Sequence, residues 1–363
     1  MFESISVSTQ TTDHYKYHVG NGLLEKACEF ITQNFGKHKL MVIIDRNVHQ
    51  QHISRVQEVF DPVFSNILTY VVPAGEKSKS LEQFSSIVDY ILKEGVERKT
   101  PVLAIGGGVV GDLSGYVAAS VLRGLPLIHM PTSLLAMVDS SIGGKTGINH
   151  LTGKNLIGAF YQPKAVFADI DFLETLPSKE WVNGLSEIIK YGMIEEPELL
   201  VTLQNLIQNG NFAPPSTWIK VIKKSAEIKI NIVERDVHEG GVRAFLNFGH
   251  TYGHVIEKIG GYSKYSHGEA VFAGMYGAVS ASNELGNEID IEHLNAFKYL
   301  YDINLSSETL VEDLNQLMLL DKKVADQSIR LVLLKALGQP MMYKVEDDQI
   351  LNKSWSFLIK QFC

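Results

Sequence analysis

Residues 101–112, PVLAIGGGVVGD, read as a short apolar strand that runs into a glycine-rich turn and then into a helix continuing through Val121. Gly106-Gly-Gly-Val-Val-Gly111 fits the spacing G-x-G-x-x-G. Glycines at such a turn let backbone approach a diphosphate. The helix N-terminus adds amide donors and about half a positive charge. The motif is weak alone, and the acidic residue usual some twenty positions later is absent, because that region reads LIHMPTS. Asp45, at the end of an earlier apolar run, is the better candidate for ribose hydroxyls. The stretch is therefore a dinucleotide turn in a rearranged order, or a plain tight turn.

Outward from this unit the chain alternates. Apolar runs at 39–45, 66–72, 127–130 and 165–170 read as buried strands, and 81–93 has helical periodicity. Such alternation predicts a mostly parallel sheet with helices on both faces. After Pro177 the texture changes to helix after helix, over about 179–194, 197–208, 216–235, 244–259, 268–285, 291–301 and 307–319. Residues 209–216 read as a loop and 329–334 as a late strand. The expected architecture is a Rossmann-like α/β domain over 1–177 and an all-α domain over 178–363, with the active site in the cleft between them.

The length of 363 residues fits two domains. A formal net charge of −8 argues against a nucleic-acid partner, though local lysines can still serve an anionic substrate. Cys28 and Cys363 have neither metal-ligand nor disulfide spacing. The start, MFESISVSTQ, lacks a secretory pattern, and no apolar run is long enough to span a bilayer. A cytoplasmic protein without membrane contact is expected.

Three histidines lie within FLNFGHTYGHVIEKIGGYSKYSHGE, residues 245–269. His250 and His254 are one helical turn apart and share a face; His267 follows a Gly-Gly break. Upstream, Glu187 and Lys190 share a face of another helix. One carboxylate with two imidazoles and an open position is a zinc site of the catalytic type; the alternative is histidines that only line helix contacts. In residues 131–155, PTSLLAMVDSSIGGKTGINHLTGKN, Lys145 and Lys154 stand among glycines, a setting that commonly holds phosphate. It is not a Walker A loop. The AGEKSK segment, 74–79, reads as a solvated loop from spacing alone.

Taken in order, GGGVVGD (106–112), PTSLLAMVDSS (131–141), GGKT (143–146), GKN (153–155), EIIK (187–190) and NFGHTYGH (247–254) resemble the 3-dehydroquinate synthase family, from about Asp45 to Gly338. The resemblance implies conversion of 3-deoxy-D-arabino-heptulosonate 7-phosphate, an anionic sugar phosphate, to 3-dehydroquinate and phosphate. The route is transient oxidation, phosphate elimination, re-reduction and intramolecular aldol closure. It further implies catalytic NAD, one zinc or cobalt ion, and a homodimer. Carried over by position, the metal ligands are Glu187, His250 and His267, while His254 contacts substrate and assists proton transfer. Catalytic and substrate contacts would come from Arg123, Asp139, Lys145, Asn155, Lys190, Lys229, Arg243, Asn247 and His254, with Lys322 or Lys323. NAD contacts would come from Asp45, Asn47, Glu76, Lys79, Gly107, Gly108, Val109, Asp112, Thr132, Ser133, Lys154, Phe172, Thr175 and Glu180. The chain departs from the family pattern at Thr132-Ser133, often Thr-Thr, and at Asp236-Val237, often an acidic pair.

Overall fold

The structure is a computed structural model that describes residues 14–208, 211–237, 239–306, 311–321 and 328–363. The first half runs β1 (Lys16–Gly20), α1 (Leu23–Phe35), β2 (Lys39–Asp45), α2 (Arg46–Phe60), β3 (Asn66–Val72), α3 (Leu81–Lys93), β4 (Val102–Gly106), α4 (Gly108–Ser120), β5 (Leu127–Pro131), β6 (Lys145–His150), β7 (Gly153–Phe160) and β8 (Ala165–Asp169). Six of these strands form one parallel sheet in the order β1-β8-β5-β4-β2-β3.

Strand periodicity sorts the core. Val42, Ile44, Leu103 and Ile105 pack on one face with Leu24, Ile31 and Phe60 from α1 and α2. Met41, Ile43, Val102 and Ala104 face the other side, with Ile87, Ile91, Leu113 and Val117 of α3 and α4. Both faces are covered, so the central strands are continuous apolar runs.

The second half runs α5 (Ser178–Ile194), α6 (Glu198–Leu206), β9 (Ile207–Gln208), β10 (Asn211–Phe212), α7 (Ile219–Arg235), α8 (His250–Ile259), α9 (His267–Glu284), α10 (Glu292–Lys298), α11 (Val311–Asp321), β11 (Arg330–Ala336), β12 (Gln339–Lys344) and α12 (Asp348–Gln361). It is helical, with two small antiparallel ribbons added. Its core of Leu185, Ile189, Trp218, Tyr252, Phe272 and Trp355 is continuous with Leu134, Met137 and Val138 beneath the sheet half.

Several expected boundaries move. The helix expected over 197–208 stops at Leu206, and Ile207–Gln208 pairs with Asn211–Phe212. The helix expected over 244–259 is split. A 3-10 turn covers Val242–Asn247, Gly249 takes φ 79°, and α8 begins afresh at His250. That left-handed residue puts His250 in a first turn. Residues 131–155 are ordered: a π-helical turn spans Ala136–Ser140, and β6 and β7 form a hairpin packed on α4.

Two glycine contacts set the helical half. A Cβ at Gly274 would stand 2.0 Å from the Gly249 carbonyl oxygen, and one at Gly253 would stand 3.1 Å from backbone of Ala270. The helices α8 and α9 therefore pack antiparallel at backbone contact. The beginning of α9 returns beside the face of α8 that carries its histidines.

Candidate metal and nucleotide site

In the sheet, β2 and β4 are neighbours, with Ile44 opposite Ile105. From this pair the chain moves outward in opposite directions, to β3 on one side and to β5 and β8 on the other. Ligands of open α/β sheets bind in the crevice at such a switch point, outside the carboxyl ends of the strands. Asp45 ends β2 there and accepts the Asn47 and Val48 amides at 2.7 and 3.4 Å, capping α2. Gly107 precedes α4 and Gly108 opens it, so the first-turn amides, with Val109, face the same crevice. Added Cβ atoms would come within 3.2 Å of Ser133 Oγ at Gly107 and 3.0 Å of Ser140 Oγ at Gly108. Thr132 and Ser133, just past β5, are buried. Past β8, Phe172 and Thr175 lie in a 3-10 turn, where Thr175 bonds His52 of α2 at 2.7 Å. Asn47 and Glu180 sit exposed at the rim.

Spacing made 74–79 a solvated loop; the structure instead buries Lys79 to 5% exposure. Its ammonium pairs with Asp112 at 2.6 Å and Glu76 at 3.8 Å, and donates to Asn155 on β7. Burial raises the Asp112 carboxyl above its usual range despite Lys79. Asn155 itself has φ 55°.

The metal candidates converge from three elements. Glu187 Oε1 lies 3.7 Å from His250 Nε2 and 3.9 Å from His267 Nε2, and one atom from each residue falls in a group no wider than 4.8 Å. Glu187 Oε1 is buried with no hydrogen-bond partner. Lys190 Nζ occupies the other oxygen, Oε2. Each histidine has its second nitrogen engaged, His250 Nδ1 at 3.3 Å from the Phe248 carbonyl and His267 Nδ1 at 3.5 Å from Glu257. That leaves both Nε2 atoms aimed at the orphaned oxygen, the orientation metal-ligating imidazoles take. Burial, with the charges of Lys190, His267 and His254, pushes the His250 imidazole well below its usual pKa. Burial also opposes charge on His267, but the hydrogen bond and charge of Glu257 outweigh it and raise that pKa. The residues fit a divalent metal: one carboxylate and two imidazoles whose ligand atoms converge. The His254 ring packs edge-on to His250 at 5.8 Å, outside the group of three.

Cations crowd the same region. Lys229 donates to the Asp139 carboxylate at 2.7 Å and to its carbonyl at 2.6 Å, and Tyr191 donates to the same carboxylate at 2.9 Å. Burial works against the Asp139 anion, yet Lys229, Lys190 and these hydrogen bonds hold its pKa far below the usual range. Lys229 is itself lowered, since burial and the charges of Lys190 and Arg243 outweigh Asp139. Arg243 is buried and donates to the carbonyls of Val237 and Gly143. Glu239 pairs with Lys145 and accepts from Asn247 at 3.3 Å.

Arg123 is not brought to this cluster within the chain. It is exposed just beyond the far end of α4, whose 13 residues span about 20 Å from the glycine turn. Lys322 and Lys323 lie outside the described residues. Sequence reasoning missed Glu257, Tyr191 and Glu239. Glu257 had a signal: it is seven residues after His250 and so shares the histidine face of α8. A cavity of about 340 Å³ lies elsewhere, between α2 and the β2–β3 edge, lined by Val42, Ile53, Val56, Phe60 and Phe64; it holds none of these groups.

Residues 69–183 match the family model for the 3-dehydroquinate synthase N-terminal region, and residues 184–324 match the model for its C-terminal region. A 3-dehydroquinate synthase of Acidithiobacillus ferrooxidans is 40% identical over 331 residues, covering 90% of this chain and 91% of the relative. The crystal structure of a 2-deoxy-scyllo-inosose synthase complexed with carbaglucose-6-phosphate, NAD+ and Co2+ matches with TM-score 0.83 at 25% identity, over 96% of each chain. A 2-epi-5-epi-valiolone synthase from Streptomyces hygroscopicus, with NAD+ and Zn2+ bound, shares the fold with TM-score 0.85 at 24% identity, over 98% of this chain and 100% of that one.

Proposed function

The chain belongs to the 3-dehydroquinate synthase family, and we propose from that premise how its residues divide the work. The reaction is that of the family: 3-deoxy-D-arabino-heptulosonate 7-phosphate gives 3-dehydroquinate and phosphate. The observation that carries the assignment is the orphaned Glu187 Oε1 facing two Nε2 atoms, beside a bank of buried cations and a glycine turn at a sheet switch point.

Glu187, His250 and His267 would hold one zinc or cobalt ion, which when bound supplies a Lewis acid for adjacent substrate hydroxyls. NAD, taken in the crevice between Asp45 and Gly107–Val109, supplies a hydride acceptor that is regenerated within one turnover. Everything else is the work of side chains. Asp139 stays anionic throughout, held by Lys229 and Tyr191, and orients hydroxyls rather than taking protons. The second face of Lys190 and the ammonium of Lys145, with Arg243, offer cations from three segments to a substrate charged at both ends. His254, beside His250 on the same helix face, holds or moves a proton at its ring nitrogen. Holding one flexible substrate through several steps requires this many fixed contacts.

The division into 1–177 and 178–363 belongs to the same reading, with the substrate between the carboxyl ends of the strands and the first turns of α8 and α9. So do a homodimer and a cytoplasmic setting. Exposed Leu156 and Phe160 on β7 favour a second copy, and two unpaired cysteines favour a reducing compartment. No helix among the described residues is long and apolar enough to cross a membrane. The direct test is phosphate release from the heptulosonate phosphate with NAD far below substrate concentration. No release in the presence of NAD and Zn2+ would reject the reading.

A further inference from the structure

Glu257 is one of the few buried carboxylates of the helical half, at 4% exposure, and its two oxygens serve different partners. Oε2 lies 3.5 Å from Nδ1 of the metal-ligand candidate His267. Oε1 accepts from Lys154 Nζ at 2.8 Å. Lys154 belongs to β7, in the sheet half, whereas Glu257 and His267 belong to α8 and α9. The Lys154 ammonium also sits over the Tyr262 ring at 5.0 Å, so its reach across the interface is fixed by two contacts.

A second set of polar contacts ends on the neighbouring residue. Asn155, next to Lys154, accepts from Lys79, and Lys79 pairs with Asp112 in the helix that opens at the glycine turn. Two sets of polar contacts, Asp112–Lys79–Asn155 from the glycine turn and Lys154–Glu257–His267 toward the metal candidates, thus end on adjacent residues of β7 and are joined there through the backbone. A carboxylate on the far nitrogen of a ligating imidazole fixes its tautomer and raises its basicity. The same carboxylate here is shared with a lysine. An ammonium at 2.8 Å draws charge from the carboxylate and weakens its hold on His267. Any anion that takes Lys154 away, such as a nucleotide diphosphate in the crevice, frees the carboxylate for the imidazole.

We propose that Glu257 is a positioning residue for the metal site, and that through Lys154 it couples nucleotide binding to metal binding, so that each tightens the other. The inference rests on the metal and NAD reading above. Thermodynamic reciprocity then requires the metal to tighten NAD+ by the same factor as NAD+ tightens the metal.

The test measures Zn2+ affinity of the metal-free protein by competition with a chromophoric chelator, with and without saturating NAD+. It compares the wild type with Glu257→Gln, Glu257→Asp and Lys154→Met. Gln keeps the shape and one acceptor but removes the charge, and Asp keeps the charge. Expected are a 10–100-fold loss of Zn2+ affinity in Glu257→Gln, the usual scale for such partners, and partial recovery in Glu257→Asp. Saturating NAD+ should tighten Zn2+ in the wild type but not in Glu257→Gln or Lys154→Met. The visible spectrum of the Co2+ form should change in Glu257→Gln, which a distant structural role would leave alone. Wild-type Zn2+ affinity in Glu257→Gln, or an unchanged NAD+ effect in Lys154→Met, would overturn the inference while leaving the metal reading standing. A wild type that binds no Zn2+ would overturn both.

Discussion

Lys190 donates to Oε2 of Glu187 from one turn further along α5, and the opposite oxygen is thereby left to face the two imidazoles. The pairing neutralises a carboxylate that is 1% exposed without closing it to a metal. It also brings a cation to the edge of the metal position, where a substrate oxygen would arrive.

Removing one ligand should therefore remove the metal. In His250→Ala, elemental analysis should find less than a tenth of an equivalent, and phosphate release should fall to background. A full equivalent of zinc in that variant would refute the ligand set.

The role proposed for His254 can be tested apart from ligation. Its ring stands beside His250, while the group of three closes without it. His254→Ala should keep its zinc and lose turnover by roughly 10²–10⁴-fold, the scale of a lost acid–base group. Loss of zinc from this variant would exchange the roles of His254 and His267.

Asp45 caps α2 through two backbone amides and stands at the switch point of the sheet. Asp45→Ala should cost about 1 kcal/mol of stability through the lost cap. It should also weaken NAD+ binding more than it weakens Zn2+ binding. Equal NAD+ affinity in the variant, measured by calorimetry, would confine Asp45 to the capping role.

The Asp139–Lys229 pair predicts a pH signature. The folded-state pKa of Asp139 is depressed, so its stabilisation is present above the unfolded carboxylate value and is lost as pH falls through the lower folded one. Lys229→Met removes the main partner. It should destabilise by about 3 kcal/mol near neutrality, at the low end for a broken buried pair because the Asp139 side chain is 27% exposed. The difference from wild type should shrink below pH 4. A constant difference from pH 7 to pH 3 in denaturant titrations would contradict the assignment.

The sheet was legible where apolar runs meet glycine. Residues 102–108 carry both signals in seven positions, and their place beside β2 follows from the alternation of elements. The helix α2 was not, because its polar sequence RNVHQQHISRVQEVF buries only Val56 and Phe60 fully. The β6–β7 hairpin was hidden by its glycines, though Asn209-Gly210, between β9 and β10, is a hairpin signal that could have been read. In α12, Asp347 caps a run with Ile350, Leu351, Trp355 and Leu358 buried, a pattern present in the sequence and missed. For the metal group, local periodicity favoured His250 with His254. The partnership of His250 with His267 depends on the backbone-close packing of α8 on α9, a tertiary fact that no local spacing expresses.

The proposed reading ties substrate choice to where the cations stand. Lys145 lies on β6, Lys190 on α5, Lys229 on α7 and Arg243 on the 3-10 turn before α8, and three of the four are buried. A substrate with a carboxylate at one end and a phosphate at the other matches charges spread over several elements. Glucose 6-phosphate and sedoheptulose 7-phosphate carry no carboxylate and would forgo the charge-assisted hydrogen bonds a second anionic end can make with these cations, whose partners within the chain are Glu187, Asp139 and Glu239 and, for Arg243, two carbonyls. Sites built around a polar group reject analogues lacking it by factors on the order of 10⁴. At equal concentrations the heptulosonate phosphate should therefore be cyclised at least that much more efficiently, by kcat/KM, than either neutral-headed sugar phosphate. Arg243→Gln should narrow the gap by slowing the preferred substrate. Comparable kcat/KM on glucose 6-phosphate or sedoheptulose 7-phosphate by the wild type would instead assign the cation bank to phosphate alone and reject the heptulosonate phosphate as the preferred substrate.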